Sequence, residues 1–440
     1  MPANTAREGI AAGRLTPADY ACNFSDLHPP LDAHEARVES DRCYFCHDAP
    51  CMNACPTQID IPLFIRQIST GNEMGAARTI LSQNILGGMC ARVCPTETLC
   101  EQACVRETAE GDPVKIGELQ RFATDTAMEV GRQFFARGEE SGKVVAVVGA
   151  GPAGLACAHR LAMKGHRVEM FDARPKAGGL NEYGIAAYKA TDRFAEAEVD
   201  YVTAIGGITI HTGVALGRDM QLSELTERYD AVFLGLGLAG VNALDIANAD
   251  AAGAEDAVEW IAGLRQTDDL ASVPVGARVV VIGGGMTAID AAVQAKALGA
   301  RAVTVAYRGP QERMKASGFE QELAQIKGVT LAFNMQPRAI LAEGGTVTGM
   351  VFLQDGAEVV IACDQVFKAI GQSFDAGGLN GSSATIRLSG GRIETDREGR
   401  TSHSRVWAGG DCTNTGDDLT VTAVAQGRDA AMSIDRALAG

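Results

Sequence analysis

Eight of the twelve cysteines lie between Cys43 and Cys104, a density that the packing of a core does not require. The first four have the spacing C-x2-C-x4-C-x3-C-P and are Cys43, Cys46, Cys51 and Cys55. The other four lie in GMCARVCPTETLCEQAC and are Cys90, Cys94, Cys100 and Cys104. Thiolates at such short spacings can bind neighbouring irons of one 4Fe-4S cluster, and a cysteine followed by proline often serves a second cluster. The pattern therefore predicts two 4Fe-4S clusters.

Two other cofactors use the same residue types. Structural zinc also binds thiolates, but the second cysteine group lacks the C-x-x-C pairs that are typical of zinc sites. The run from Cys43 to His47 matches the C-x-x-C-H signature of c-type haem attachment, which would leave the other six cysteines of the two groups unexplained. The spacing favours iron-sulfur clusters, with His47 as a hydrogen-bonding neighbour.

A glycine-rich turn follows the apolar run VVAVV and precedes an alanine-rich helix. It carries Gly149, Gly151 and Gly154 as G-x-G-x-x-G. The first glycine permits the tight turn, the second lets the backbone approach a pyrophosphate, and the third lets the helix pack on the strand. A second strand ends at Asp172, where a carboxylate can accept hydrogen bonds from ribose hydroxyls. These residues predict a dinucleotide site.

A second turn of this kind lies in VVVIGGGMTAIDAA. It carries Gly283, Gly285 and Ala288 as G-x-G-x-x-A. The strand that follows, AVTVAY, ends without an acid and is followed by Arg308, which could pair with the 2′-phosphate of NADP(H). Arg308 could instead be a solvated loop residue or stack on the adenine. The sequence predicts an NAD(P) site and leaves the choice between NAD and NADP open.

Near the carboxyl end, the strand RVWAG is followed by Gly410 and Asp411 and then by a helix. This segment resembles the second half of the FAD site in flavoproteins with two dinucleotide-binding domains, in which the matching aspartate binds the ribityl chain. The order of the three motifs then implies an FAD domain that is split by an inserted NAD(P) domain.

The segment GGLNEYGIAAYKA resembles the part of these flavoproteins that lines the flavin ring. The resemblance assigns Gly179 and Leu180 to FAD and makes Lys189 a candidate flavin neighbour, although Ala186 replaces the usual proline. Hydride transfer needs no side-chain acid or base, so no catalytic residue is predicted.

Outside the two cysteine groups, the two glycine-loop regions contain no C-x-x-C pair. Cys157, Cys363 and Cys412 are isolated and are predicted to be small buried residues. This argues against the chemistry of a flavin-disulfide reductase.

These motifs require several domains, and the chain of 440 residues is long enough for about three. A helical domain that binds two 4Fe-4S clusters is predicted over 1–142, an FAD domain over 143–240 and 371–440, and an NAD(P) domain over 241–370. The fold class is thus a helical Fe-S domain followed by an α/β flavoprotein with two dinucleotide-binding domains.

Composition restricts the partners and the compartment. With 39 Lys and Arg against 55 Asp and Glu, the net charge of -16 disfavours nucleic acid and anionic membrane surfaces. The longest apolar stretch is interrupted by glycines and a proline, so no membrane span is expected. The amino-terminal residues lack the pattern of an export signal, which favours a reducing cytoplasm.

Across nearly the whole chain, RCYFCHDAPCMNACP, ARVCPTETLC, IGELQRFATD, VGAGPAGL and VIGGGMTAIDAA resemble the flavin- and NAD(P)-binding subunit of bacterial dihydropyrimidine dehydrogenase. The chain is also similar to the amino-terminal half of the eukaryotic enzyme and, more distantly, to the glutamate synthase small subunit. The resemblance implies that one cluster is bound by Cys43, Cys46, Cys51 and Cys104. It implies for the other cluster the ligands Cys55, Cys94, Cys100 and Gln120. Cys90 is then not a ligand; in the alternative, Cys90 is the fourth ligand and Gln120 is an ordinary helix residue.

The resemblance implies an electron-input subunit. NAD(P)H would pass a hydride to FAD, and the electrons would leave singly through the clusters. A partner subunit with FMN and further clusters would reduce uracil or thymine to the 5,6-dihydro form in a hetero-oligomer. The alternatives are a glutamate synthase small subunit, a stand-alone NAD(P)H:acceptor oxidoreductase and a zinc-bearing nucleotide-sensing scaffold.

Overall fold

The amino-terminal part of the chain is mainly helical. The computed structural model describes residues 7–379 and 386–439. Its first elements are β1 (Ile10–Ala11), α1 (Pro17–Asn23), α2 (Ala33–Ser40), α3 (Pro50–Ala54), α4 (Ile61–Ser69), α5 (Glu73–Gln83), α6 (Gly87–Val93), α7 (Val105–Glu110) and α8 (Ile116–Glu129).

Local sequence signals explain where several of these helices begin. Thr16 and Asp32 each form a capping box with an acidic residue three positions later, at the starts of α1 and α2. Asp60 and Asn72 cap α4 and α5 with their side chains. Helices α4, α5 and α8 then bury their apolar faces in one core that includes Phe64.

An α/β region follows. Its first elements are β2 (Val144–Val148), α9 (Pro152–Met163), β3 (Arg167–Asp172), α10 (Leu180–Tyr183), α11 (Phe194–Thr203), β4 (Ile208–Thr212), α12 (Leu222–Arg228) and β5 (Ala231–Leu234). The next are β6 (Gly240–Val241), β7 (Ala254–Asp256), α13 (Ala257–Arg265), β8 (Val275–Gly276), β9 (Arg278–Gly283), α14 (Met286–Ala297), β10 (Ala302–Ala306), α15 (Gly318–Ile326) and β11 (Thr330–Ala332).

The remaining elements include the strands of a three-stranded and of a two-stranded antiparallel sheet. They are β12 (Gln336–Glu343), β13 (Thr346–Gln354), β14 (Ala357–Ala362), β15 (Gln365–Ala369), β16 (Gln372–Ser373), β17 (Leu388–Ser389), β18 (Arg392–Ile393), β19 (Val406–Ala408) and α16 (Thr420–Ala439). Four short 3-10 turns span Thr96–Thr98, Leu270–Ser272, Gln311–Arg313 and Gly377–Leu379.

Two five-stranded parallel sheets carry the two glycine loops. The first has the order β19-β5-β2-β3-β4 and the second the order β11-β10-β9-β15-β7. The central strands are apolar because both faces of a parallel sheet are covered. In the first sheet Val147 is fully buried and pairs with Met170 on one side and Phe233 on the other. Each glycine loop leaves a central strand and enters a helix, as the motifs predict.

The described residues form two compact units, each built from separate stretches of chain. The first unit contains the described parts of Met1–Leu27, Tyr183–Thr191 and Val241–Gln372. The second unit contains the described parts of His28–Glu182, Asp192–Gly240 and Ser373–Gly440. The cysteine-rich helices therefore share a unit with the sheet of the first glycine loop, and the second glycine loop lies in the other unit.

The first unit also includes residues that the sequence-based boundaries assigned to other domains. Strand β1 pairs with β8, and the buried Arg14 donates to the Val275 carbonyl at 3.0 Å. Asn23 donates to the Ala297 carbonyl at 2.9 Å. These contacts join distant parts of the chain through backbone carbonyls, which no local sequence pattern identifies.

Candidate cofactor sites

Four cysteines from two distant stretches line one cavity in the helical region. They are Cys43, Cys46, Cys51 and Cys104, the set that the family resemblance implies for one cluster. Cys51 lies in α3, which begins at Pro50, and Cys104 is the residue that precedes α7. The structure thus brings the last cysteine of the second group beside the first three of the first group.

The backbone around Cys43 is arranged for a sulfur ligand. Phe45 has a left-handed backbone with φ of 49°, and its N–H donates to Cys43 Sγ at 3.4 Å. The Arg66 guanidinium lies 5.3 Å from the centre of the Phe45 ring and contacts the same turn. The Phe45 N–H stabilises a thiolate at Cys43, and the thiolate is the form of cysteine that binds iron.

A second cavity is lined by Cys55, Cys94, Cys100 and Gln120, and also by Cys90. Cys55 and Cys94 directly follow α3 and α6, so helix ends supply both thiols. Thr57 Oγ1 lies 3.2 Å from Cys55 Sγ. The structure therefore collects the whole second ligand set and places the alternative ligand Cys90 in the same cavity.

Burial makes free thiolates costly in both cavities. Burial raises the pKa of Cys51 to about 12, and it raises the pKa of Cys100 well above its ordinary value. The pKa of Cys94 is raised first by a hydrogen bond with Cys90 and then by burial. Positive irons would offset this cost, so the donor set fits a cluster in each cavity.

A hydrogen bond to the backbone fixes the orientation of the Gln120 amide. Its Nε2 donates to the Gly87 carbonyl at 2.7 Å, and a carbonyl can only accept. The amide oxygen is therefore the atom left for the cavity, as a neutral iron ligand requires. Gln120 is 8% exposed, so it is not an ordinary residue on the surface of its helix.

A buried carboxylate holds the start of the helix that carries Cys90. Glu198 Oε1 accepts from the N–H groups of Gly88 and Met89 at 2.9 and 3.0 Å. Burial raises the pKa of Glu198 to about 8, although these two donors and Arg92 act in the opposite direction. Glu198 was not predicted from the sequence, because a single acid in a helix carries no spacing signal.

Glu198 predicts a pH-dependent loss of stability. Its folded-state pKa of about 8 lies above the ordinary 4.5, so the folded chain binds more protons and loses stability as the pH rises between these values. Glu198→Gln keeps the Oε1 acceptor and should remove this loss, worth about 5 kcal/mol at about 1.4 kcal/mol per pKa unit.

The second unit contains Trp407, and Trp260 of the first unit is the only other tryptophan of the chain. In a Trp260→Phe background, Trp407 fluorescence should therefore report the unfolding of the second unit. We expect the stability of Glu198→Gln relative to the parent to increase from about pH 6 to about pH 9. An equal pH dependence of the two proteins would contradict the assigned pKa.

The first glycine loop has the close approaches that its motif requires. Gly149 has φ of +100°, and a Cβ there would lie 2.1 Å from the Gly235 carbonyl oxygen. A Cβ on Gly154 would lie 1.9 Å from the Gly149 carbonyl oxygen. A Cβ on Gly151 would meet nothing closer than 3.6 Å, so the second glycine faces space that a pyrophosphate can use.

The other residues predicted for FAD lie in the same unit. Asp172 accepts from the Ala150 N–H at 2.7 Å and from the Arg174 N–H at 2.8 Å, while burial raises its pKa. Burial and Asp418 raise the pKa of Asp411 to about 6. Gly410 has φ of +80°, as a turn after a strand requires.

The ring-lining segment begins close to the first glycine loop. A Cβ on Gly179 would lie 2.7 Å from the Gly151 Cα, so the two turns touch through glycines. Leu180, which begins α10, is 37% exposed. The structure therefore brings Gly179 beside Gly151 and leaves much of the adjoining Leu180 side chain accessible.

The second glycine loop repeats this geometry in the first unit. A Cβ on Gly283 would lie 2.2 Å from the Ala369 carbonyl oxygen, while a Cβ on Gly285 would meet nothing within 4 Å. Ala288 is fully buried where α14 packs on the sheet. Arg308 follows β10 by two residues and is exposed, so its side chain is accessible to a nucleotide.

Lys189 belongs to a buried ion-pair network of the first unit. Its Nζ lies 2.8 Å from Asp290 Oδ1 and 2.6 Å from Glu320 Oε1, and the Tyr188 hydroxyl donates to Asp290. Burial disfavours the ammonium, but the two carboxylates outweigh it and raise the pKa of Lys189. A role of Lys189 beside flavin stays a prediction.

Lys189→Met should destabilise the first unit by about 3–5 kcal/mol, because two buried carboxylates lose their cation. In a Trp407→Phe background, fluorescence of the buried Trp260 follows the unfolding of this unit in urea. Lys164→Met is the control, because Lys164 pairs with Asp435 in the second unit and its side chain is 37% exposed. A change below about 1 kcal/mol for Lys189→Met would show that the network is not strongly coupled to folding.

The three isolated cysteines are buried, as predicted. Cys157, Cys363 and Cys412 are fully buried and unpaired. Within the described part of the chain, no helix has the length and apolar character needed to cross a membrane.

Two protein families match separate parts of the chain. Residues 20–132 match the family described as dihydropyrimidine dehydrogenase domain II, 4Fe-4S cluster. Residues 143–427, more than half of the chain, match the pyridine nucleotide-disulphide oxidoreductase family. The chain belongs to this family. It is an oxidoreductase with a 4Fe-4S domain followed by a flavin and pyridine nucleotide domain.

Relatives that cover almost the whole chain include a dihydropyrimidine dehydrogenase subunit and a glutamate synthase small chain. The NAD-dependent dihydropyrimidine dehydrogenase subunit PreT of Escherichia coli (strain K12) is 34% identical over 417 residues, which are 95% of this chain and 98% of the relative. The glutamate synthase [NADPH] small chain of the same organism is 34% identical over 442 residues and covers 93% of each chain.

Solved structures of lower identity share the fold. Thioredoxin reductase of T. acidophilum has a TM-score of 0.55 at 23% identity and covers 66% of this chain and 97% of its own. FprA of Mycobacterium tuberculosis, in complex with NADPH, has a TM-score of 0.56 at 18% identity and covers 68% and 84%. The predicted α/β flavoprotein fold is thereby confirmed.

Proposed function

We propose that this chain oxidises NAD(P)H at FAD and passes electrons through two 4Fe-4S clusters to an FMN-containing partner subunit, which reduces uracil or thymine to 5,6-dihydropyrimidines. The observation that carries the proposal is the pair of cysteine-lined cavities in the unit that also holds the first glycine loop. A hydride donor and single-electron carriers in one chain suit an electron-input subunit.

Different residues of the chain would bind different parts of FAD. Gly149, Gly151 and Gly154 would admit the FAD pyrophosphate to the start of α9, while Asp172 and Asp411 would bind its ribose and ribityl hydroxyls. Gly179 and Leu180 would contact the flavin ring. The chemistry supplied by the bound groups is acceptance of a hydride by the flavin and onward transfer of single electrons by the clusters.

The NAD(P) site would use the second glycine loop. Gly283 and Gly285 would bring the loop backbone to the pyrophosphate, and Ala288 would let α14 pack close to the strand. The domain division supports a separate NAD(P) domain over 241–370, between the two FAD segments 143–240 and 371–440. The Fe-S domain would span 1–142, of which residues 7–27 pack with the first unit.

Arg308 would read the 2′-phosphate of NADPH. We expect Arg308→Ala to raise the KM for NADPH about tenfold, which corresponds to about 1.4 kcal/mol of lost charge-assisted binding, and to leave the KM for NADH nearly unchanged. Steady-state oxidation of each nucleotide with an artificial acceptor measures both values. Equal changes for the two nucleotides would exclude a phosphate-specific role of Arg308.

Gln120 favours a pyrimidine-reducing partner, because dihydropyrimidine dehydrogenases carry glutamine at the matching position and the amide oxygen is free for the second cavity. Copurification under anoxic conditions with the product of a neighbouring gene, followed by a uracil assay with NAD(P)H, tests the proposal. Reduction of uracil is the expected result.

The similarity to a glutamate synthase small chain supports a second candidate function. In that case the purified complex would form glutamate from glutamine and 2-oxoglutarate and would leave uracil unchanged. A colourless protein without iron, sulfide and flavin would contradict both candidates and would favour a zinc-bearing scaffold.

A further inference from the structure

Asn84 is a fully buried polar residue that lines the second cavity. It directly follows helix α5, and its backbone N–H donates to the Ile80 carbonyl at 2.9 Å. The helix end therefore fixes the backbone of Asn84. Its side chain extends from a rigid position at the wall of the cavity.

The orientation of the Asn84 amide is also fixed. Its Oδ1 accepts from the Leu86 N–H at 3.2 Å, and because an N–H can only donate, the oxygen must face Leu86. The other polar atom, Nδ2, is buried and has no hydrogen-bond acceptor within the described part of the chain. A buried donor without an acceptor destabilises the folded protein, so an acceptor in the cavity would remove that penalty.

Asn84 and Gln120 both line this cavity, and backbone groups hold opposite atoms of their two amides. The Gly87 carbonyl holds the nitrogen of Gln120 and leaves its oxygen for an iron. The Leu86 N–H holds the oxygen of Asn84 and leaves its nitrogen, which cannot bind iron but can donate to sulfur. The neighbouring residues Leu86 and Gly87 thus assign different roles to the two amides.

We propose that Nδ2 of Asn84 donates a hydrogen bond to a sulfur of the second cluster, either an inorganic sulfide or a ligating thiolate, and raises the reduction potential of that cluster. The proposal rests on the second cluster of the proposed function. Reduction adds negative charge to a cluster, so a donor to its sulfur stabilises the reduced form more than the oxidised form. Asn84 is a positioning residue in this role and not an iron ligand.

Asn84→Leu removes the donor at similar side-chain size. In an anoxic redox titration followed by electron paramagnetic resonance, we expect the potential of the second cluster to become more negative and the potential of the first to stay the same. Asn72→Leu is the matched control, because Asn72 is exposed and caps the opposite end of α5. An unchanged potential in an Asn84→Leu protein with both clusters intact would overturn the proposal.

A measurement on the unaltered chain covers the case in which Asn84→Leu loses the second cluster. Protein labelled with ¹⁵N in the asparagine side-chain amides should show a ¹⁵N coupling in the double-resonance spectrum of the reduced second cluster. Absence of that coupling overturns the proposal. If the unaltered chain holds only one cluster, the proposed function fails first, which separates that failure from an error about Asn84.

Discussion

Cys51→Ala and Cys100→Ala should each lower the iron content from about eight to about four ions per chain, because each removes one ligand from a different 4Fe-4S cluster. The two thiols line separate cavities, and both are partly buried beside other cysteines. Metal analysis and paramagnetic resonance of anoxically reduced protein measure the loss. A different cluster signal should disappear in each variant.

Cys22→Ala is the control for these variants. Cys22 is exposed and lies outside both cavities, so its replacement should leave the iron content unchanged. Loss of all iron in both ligand variants would show that the two cavities do not hold independent clusters.

The same measurements decide the fourth ligand of the second cluster. We expect Gln120→Ala to perturb one cluster and Cys90→Ser to leave both intact, because the Gln120 oxygen is free for the cavity. Cys90 is 1% exposed and forms a hydrogen bond with Cys94. Iron loss in the Cys90 variant, with none in the Gln120 variant, would reverse the assignment.

Gly151→Val should remove most of the bound FAD and leave the fold intact. A Cβ at this position meets only Gly179, at 3.6 Å, so the protein itself tolerates a side chain there. The side chain would instead occupy the space that the pyrophosphate needs, and we expect the flavin content of purified protein to fall about tenfold. Flavin absorbance per chain and Trp407 fluorescence measure cofactor content and folding separately.

Gly285→Val is the matched control in the second loop. A Cβ there has no neighbour within 4 Å, so this variant should keep FAD and lose the oxidation of NAD(P)H. If Gly151→Val kept its flavin and Gly285→Val lost it, the assignment would be reversed, with FAD at the second glycine loop and NAD(P) at the first.

Local patterns predicted the parts of the site that depend on spacing. The two glycine motifs predicted both strand-loop-helix units, because Gly149, Gly154 and Gly283 each lie close to a backbone oxygen of their own loop or sheet, where a side chain does not fit. The cysteine spacing predicted two clusters. Spacing alone could not join Cys104 to Cys43, Cys46 and Cys51, since that contact depends on how the helices between them pack; the family resemblance supplied it.

Residues that act through tertiary contacts were missed. Asn84 and Glu198 are single polar residues whose importance comes from burial and from backbone partners elsewhere in the chain. The antiparallel strands β12, β13 and β14 were also not predicted. The Asp355-Gly356 pair is the sequence signal that could have identified the hairpin of β13 and β14. Both residues have positive φ in the turn that joins these strands.

The most direct test of the account is an anoxic titration of the purified chain with NADH or NADPH, followed by absorbance and paramagnetic resonance. The account predicts about eight irons and one FAD per chain, bleaching of the flavin band, and the appearance of reduced-cluster signals without any partner subunit. A chain with fewer than about four irons, or one that stays unbleached with both nucleotides, would contradict an electron path from nicotinamide to clusters within this polypeptide.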